Sequence, residues 1–190
     1  MWVFSKRDFL VIFFFAVFSC FGNSNCDRPL YPHPIVAQEQ GHSCGAACLR
    51  SIFYARGLSD TPEEVLVNEL QSSPEFGTSP DYIVAAILRR GFGAYSQFYL
   101  TIDQLDFFAR QGESIIVSLM SHGVPHYAVY NGFDGYNVYL MDPWSARTNG
   151  NLQRVVPWQE FLAEWYYRDT SRAFFGHVIR VWSLPSPDQP

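Results

Sequence analysis

In the stretch QEQGHSCGAACL, residues 38–49, Cys44 is followed at once by Gly45 and then by a run of small residues. A buried helix that needed only a small apolar side chain has Ala for the purpose, and glycine inside a helix costs about 0.5–1 kcal/mol relative to Ala. A cysteine in the first turn of a helix faces unsatisfied N–H groups and the positive end of the macrodipole, which favours thiolate over thiol. Gly45 would then leave the backbone beside the sulfur open to a substrate. A nucleophilic thiolate also wants a base and a group to orient that base. His126, opening one apolar run, and Asp142, ending the next, supply both types, in the chain order Cys, His, Asp.

The competing uses of these residue types are weaker. Cys48, one turn beyond Cys44 and on the same face as Ile52, reads as core, since free cysteines are among the most buried residues. Zinc held by His42, Cys44, Cys48 and His126 lacks the paired short spacings of zinc motifs, so no metal and no organic cofactor is expected. His33, His42, His122 and His177 have no motif around them and read as surface or satisfied core histidines. Trp144, just after Asp142-Pro143, is a candidate shield that keeps water from the site.

These residues need elements to hold them. A helix is expected from Cys44 to Gly57, with Leu49, Ile52 and Phe53 on its apolar stripe. A second follows Thr61-Pro62-Glu63-Glu64, read as a capping box with Pro at the first helical position, and runs to about Leu70. A third lies between Ser79-Pro80 and Gly91, and a fourth between Thr101, with Gln104 completing a capping box, and Gly112. The pattern then turns extended in SIIVSLM, HYAVYNGF, YNVYLMD and GHVIRVWSL, with the short amphipathic helix PWQEFLAEWYY before the last of these. Helices first and strands afterwards predict an α+β fold with an antiparallel sheet.

The chain has 190 residues, 48% of them apolar and 16% charged, with a net charge of −5, the proportions of one compact domain over residues 23–190. After Lys6-Arg7 there is no basic run, so no footprint for nucleic acid or an anionic membrane surface is present. At the start, MWVFSKRD, the apolar FLVIFFFAVFSCFG and the polar NSNCDRP have the layout of a secretory signal peptide, residues 1–22. A retained anchor usually needs about 20 apolar residues, and VFSC is a partial match to a lipobox ending at Cys20. The expectation is export to the periplasm or medium, with any membrane attachment made through an uncleaved or lipidated N-terminus. Cys26, Cys44 and Cys48 would then meet an oxidising compartment, where an odd number cannot all pair.

Gln38 six residues before the cysteine, CGAACL, HYAVYNGF with its leading histidine, and the MDP that holds Asp142 together resemble the papain-like cysteine peptidases that process bacteriocin leaders after a double glycine, and their stand-alone relatives. The resemblance spans about residues 35 to 145. It implies a papain-like fold, Cys44 as nucleophile, His126 as base, Asp142 as orienter, and Gln38 as side-chain donor of the oxyanion hole. The family's acidic residue just before the cysteine is here Ser43, and its fused transporter segments have no counterpart. The function expected is an exported, monomeric cysteine peptidase acting on peptides or on unfolded or leader segments. The alternatives are an inactive papain-like domain that only binds peptides and a transglutaminase-like acyl transferase. A three-residue loop of Phe133, Asp134 and Gly135, with Gly135 left-handed, would place Asp142 directly across from His126 on one sheet face.

Overall fold

The computed structural model describes residues 33–150, 153–169 and 173–185. The signal-peptide expectation and the pairing of Cys26 fall outside those residues. In chain order the elements are α1 (Cys44–Ala55), α2 (Glu63–Glu69), α3 (Pro80–Arg89), β1 (Phe92–Gln97), α4 (Ile102–Arg110), β2 (Ser114–Ser121), β3 (Val124–Phe133), β4 (Asn137–Met141), α5 (Pro143–Asn149), β5 (Arg154–Pro157), α6 (Trp158–Trp165) and β6 (Val178–Ser183). The strands form one antiparallel sheet in the order β1-β6-β2-β3-β4-β5.

This is the expected α+β fold with an antiparallel sheet, but helices and strands interleave more than the sequence pattern predicted. β1 stands between α3 and α4 and pairs with the last strand, and α5 and β5 also went unread. Two of the three are short, and β1 carries Gly93, whose missing side chain makes room for the Trp182 ring; a Cβ there would collide with it.

Each sheet face buries its own core. On one side Ile116, Val129, Met141, Ile179 and Val181 pack with Leu49, Ile52 and Phe53 of α1, Leu66 of α2 and Ile83 and Ile87 of α3. On the other, Ile115, Val117, Leu119, Tyr130 and Leu140 pack with Leu105 of α4 and Phe161 and Trp165 of α6. All eight residues of β2 are buried, which is why SIIVSLM reads as a continuous rather than an alternating run.

The caps divide. Ser79 accepts from the N–H of Asp81, and Thr101 and Gln104 form the predicted reciprocal box. The box predicted at Thr61 is absent. Pro62 is the N-cap and makes no side-chain cap bond, and Glu63 instead accepts the N–H of Glu39 at 2.8 Å. The chain entering the cysteine helix is thus held by the first residue of α2, next to the Glu64 that the local pattern had read as the acid of the box.

Candidate active site

The position of Cys44 is set by the turn before it. The carbonyl of Gln40 accepts from Gln38 Nε2 at 2.7 Å, from Ser43 Oγ at 2.9 Å and from Ser43 N at 3.4 Å, while Ser43 Oγ accepts from Gln40 N at 3.0 Å. With its hydroxyl so engaged, Ser43 is the N-cap of α1 but makes no side-chain cap bond. The first N–H groups of α1 therefore take no acceptor from Ser43, and that of Gly45 is turned to the Cys44 sulfur. The small residues that follow have a packing reason. A Cβ on Gly45 would lie 3.1 Å from Thr78 Oγ1 and 3.3 Å from Ile83 Cδ1. Gly45 thus faces the body of the protein, and the reading that it clears space for a substrate is corrected: it lets α1 approach the segment before α3.

His126 and Asp142 meet. His126 Nε2 donates to Asp142 Oδ1 at 2.7 Å, and both side chains are buried. The other side of the His126 ring is turned to Cys44, close enough for imidazole and sulfur each to shift the other's protonation. Nε2 being taken by Asp142, Nδ1 is the ring nitrogen left for the sulfur. Asp142 lies one residue past β4, as the N-cap of α5, and its Oδ1 also accepts the N–H groups of Trp144 (2.9 Å) and Ser145 (3.2 Å). Pro143 at the first helical position starts that helix at once.

The register by which this happens is not the predicted one. Gly135 is left-handed, with φ of 96°, as expected. The loop itself is different: Asp134 Oδ1 accepts the N–H of Tyr136 and of Asn137, Asp134 N donates to the Asn137 carbonyl, and Phe133 faces Val138. The carboxylate of Asp134 makes this turn, which the residue count of the loop does not reveal. The register then shifts at Asn131, so that Tyr130 faces Leu140 and Val129 faces Met141. Continued, that register puts Asp142 across from Ala128, two residues along from His126. The two share a face as diagonal neighbours rather than as a direct pair.

The charges are mutually supporting. Burial pushes the Cys44 thiol up, but the hydrogen bond and charge of His126 and the backbone N–H groups of Tyr127 and Gly45 outweigh it, leaving the thiol below its ordinary value. Burial pushes His126 down, yet Asp142 and Cys44 lift it to about 10. Asp142, against its burial, is held at about 2 by the His126 hydrogen bond and charge, the Ser145 N–H and Arg154. Together these shifts favour a thiolate–imidazolium–carboxylate row.

Cys44, His126 and Gln38 line one cleft of about 700 Å³, together with His42, the segment Pro74–Gly77, Ser121, His122, Val124, Pro125 and Trp144. Gln38 is buried; one hydrogen of its amide serves Gln40 and its backbone N–H donates to Pro143, which ties the residue to α5. Phe76 is 93% exposed on a tight loop in which Ser73 and Gly77 exchange backbone bonds of 3.0 and 2.8 Å, so an aromatic ring stands in water at the cleft mouth. Pattern reading missed that wall, because a single Phe in a turn carries no period. It also missed Arg154, whose Nη1 lies 3.3 Å from Asp142 Oδ2. His122 sits at the β2–β3 turn with φ of 52°, while His33 and His177 are buried and bonded to Asn131 and Ser114, and to Ser96 and Ser118. Cys48 is buried in the core and its thiol is pushed well up by burial.

The architecture is that of a papain-like cysteine peptidase. The family model for the peptidase C39 family matches residues 32–167, and the chain belongs to that family. Similar solved structures are the peptidase domain of Streptococcus ComA, described as a bifunctional ABC transporter involved in quorum sensing (20% identity, TM-score 0.62, covering 80% of this chain and 100% of that one), and a C39-like peptidase from Bacillus anthracis (14%, 0.63, 84% and 98%). A double-glycine-motif protease from an AMS/PCAT transporter, solved with its leader peptide, is similar at 20% identity and TM-score 0.60 over 83% of this chain and 94% of that one. No curated protein sequence matches the chain.

Proposed function

We propose that the protein is an exported peptidase that cleaves peptide bonds in peptides or in unfolded or leader segments through Cys44, His126, Asp142 and Gln38. The observation that carries this reading is the row in which Cys44 and His126 line one cleft and shift each other's protonation while His126 meets the buried Asp142 behind it at 2.7 Å. The thiolate of Cys44 attacks the scissile carbonyl carbon, forming a C–S bond. The imidazolium of His126 gives its proton to the departing amine as the C–N bond breaks. Water, deprotonated by His126, then opens the thioester and restores the thiolate. The carbonyl oxygen that becomes charged in both steps is received by the N–H of Cys44 and by the second N–H of the Gln38 amide, the first being spent on Gln40.

The double-glycine protease among the similar structures makes peptides with that motif the first substrates to try, while the expected N-terminal signal argues for targets outside the cytosol. The test is a peptide library containing double-glycine leaders, incubated with wild type and with Cys44→Ala. Cleavage that disappears with the thiol supports the reading. Equal cleavage by both proteins, or none by wild type together with a thiol that alkylates no faster than Cys48, overturns it.

A further inference from the structure

Asp142 Oδ1 accepts from three donors, His126, Trp144 and Ser145, whereas Oδ2 is met by Arg154. Arg154 comes from β5 and is itself fixed at both arms. Nη1 reaches Asp142 Oδ2 and Ser121 Oγ, each at 3.3 Å, and Nη2 reaches Glu164 Oε1 of α6 at 2.5 Å. The side chains are 13% exposed for Arg154, 15% for Glu164 and 3% for Asp142. A planar guanidinium held at two points cannot swing away as an ammonium on a flexible stem would.

We propose that Arg154 is a positioning residue for Asp142: it holds Oδ2 so that Oδ1 stays turned to His126, and Glu164 and Ser121 hold Arg154 in that role. The proposal rests on the reading of Cys44, His126 and Asp142 as a catalytic set. Without a donor on Oδ2, a buried carboxylate gains by rotating or by taking a proton, and either change releases the imidazole. The charged or titratable groups facing Asp142 are His126 from β3, Arg154 from β5 and Cys48 from α1, with Cys44 of α1 acting through His126 and Glu164 of α6 through Arg154.

The sign of the effect separates positioning from charge alone. As a bare positive charge, Arg154 disfavours the His126 imidazolium, so removing it would let that imidazolium persist to higher pH. As a positioning residue, its removal frees His126 from Asp142 and the imidazolium is lost at lower pH. Arg154→Met is therefore compared with wild type in kcat and KM on a cleaved peptide against pH, with iodoacetamide alkylation of Cys44 against pH measured beside them. The expected result is a basic limb of kcat/KM moved to lower pH and kcat reduced about tenfold with KM little changed, partly restored by Arg154→Lys. If Arg154→Met does not fold, Arg154→Gln is read the same way. A basic limb that stays in place or moves to higher pH in the folded variant refutes the proposal. A wild-type thiol with no depressed limb at all overturns the catalytic reading and the role of Arg154 with it.

Discussion

Replacing Asp142 by Asn tests the centre of the site with one atom changed. The carboxylate accepts at both oxygens from four donors, so an amide cannot fit it in either orientation. With its oxygen toward His126, Trp144 and Ser145, the nitrogen of the introduced amide opposes Arg154 Nη1, donor against donor; flipped, it opposes the other three. Each buried donor left unpaired costs about 1–3 kcal/mol, and removing one partner of a buried ion pair costs about 3–5 kcal/mol. A loss of about 3 kcal/mol corresponds to a fall in Tm of roughly 6–12 °C for a domain of this size. On the chemistry, two unit charges at ~4 Å interact by about 4 kcal/mol at an effective dielectric near 20. The opposing field of Arg154 and partial hydration reduce what His126 loses to about 3 kcal/mol, which is about 10²-fold in kcat/KM. The pH dependence has a fixed sign. Asp142, held at about 2, stabilises the fold above its unfolded value near 3.9 and loses that contribution as pH falls toward 2. His126, lifted to about 10, contributes fully below its unfolded value near 6.5 and loses its contribution as pH rises through 10. The Tm difference between wild type and Asp142→Asn is therefore greatest between about pH 4 and 6.5. Peptide cleavage and thermal melts across pH 3–10 measure both quantities. A folded variant within threefold of wild type in kcat/KM and with unchanged Tm would refute the assignment of Asp142 and the charge argument together.

Three further outcomes are expected. His126→Ala abolishes turnover while His122→Ala leaves it near wild type, and the reverse order in a steady-state assay would transfer the base to the β2–β3 turn. Gln38→Ala lowers kcat about 10²- to 10³-fold with a far smaller effect on KM; an effect confined to KM would deny it the oxyanion. Gly45→Ala gains about 0.5–1 kcal/mol of helix propensity but drives a methyl to 3.1 Å from Thr78 Oγ1. Thr78 is held by Ser72 Oγ at 2.5 Å and by Tyr127 OH at 3.1 Å, so the overpacking of about 1–3 kcal/mol wins and the melting temperature falls.

Legibility followed the range of the forces involved. The helix carrying Cys44, the four main strand runs and the caps at Ser79 and Thr101 depend on residues within a few positions, and the pattern gave them correctly. Cys44, His126 and Gln38 were legible as types in an order. What the pattern missed is tertiary. Glu63 bonds to Glu39 rather than to its own helix, β1 finds its partner in the last strand, and Arg154 meets Asp142 from an edge strand with no motif around it. No local rule weighs such contacts.

The hairpin holds the most instructive case, because its register was misread and yet the same residues come together. Near the turn, Phe133 faces Val138 and Gly132 faces Tyr139. Extended without interruption, that register would set Asp142 opposite Val129 and turn its side chain to Val129's face, away from His126, since facing residues share a side and neighbours alternate. The extra residue at Asn131 prevents this. It moves the register by one, so that Val129 faces Met141 and Asp142 joins the side of Ala128 and His126. The bulge is anchored: Asn131 is buried, and its Oδ1 accepts the N–H of His33 at 3.2 Å and contacts His33 Nδ1 at 2.8 Å. A predicted register that is wrong by an even number of residues preserves the face, whereas one wrong by an odd number destroys it. The parity of the β3–β4 hairpin, set five residues from His126 by Asn131 and the histidine that pins it, is thus what brings the carboxylate to the imidazole.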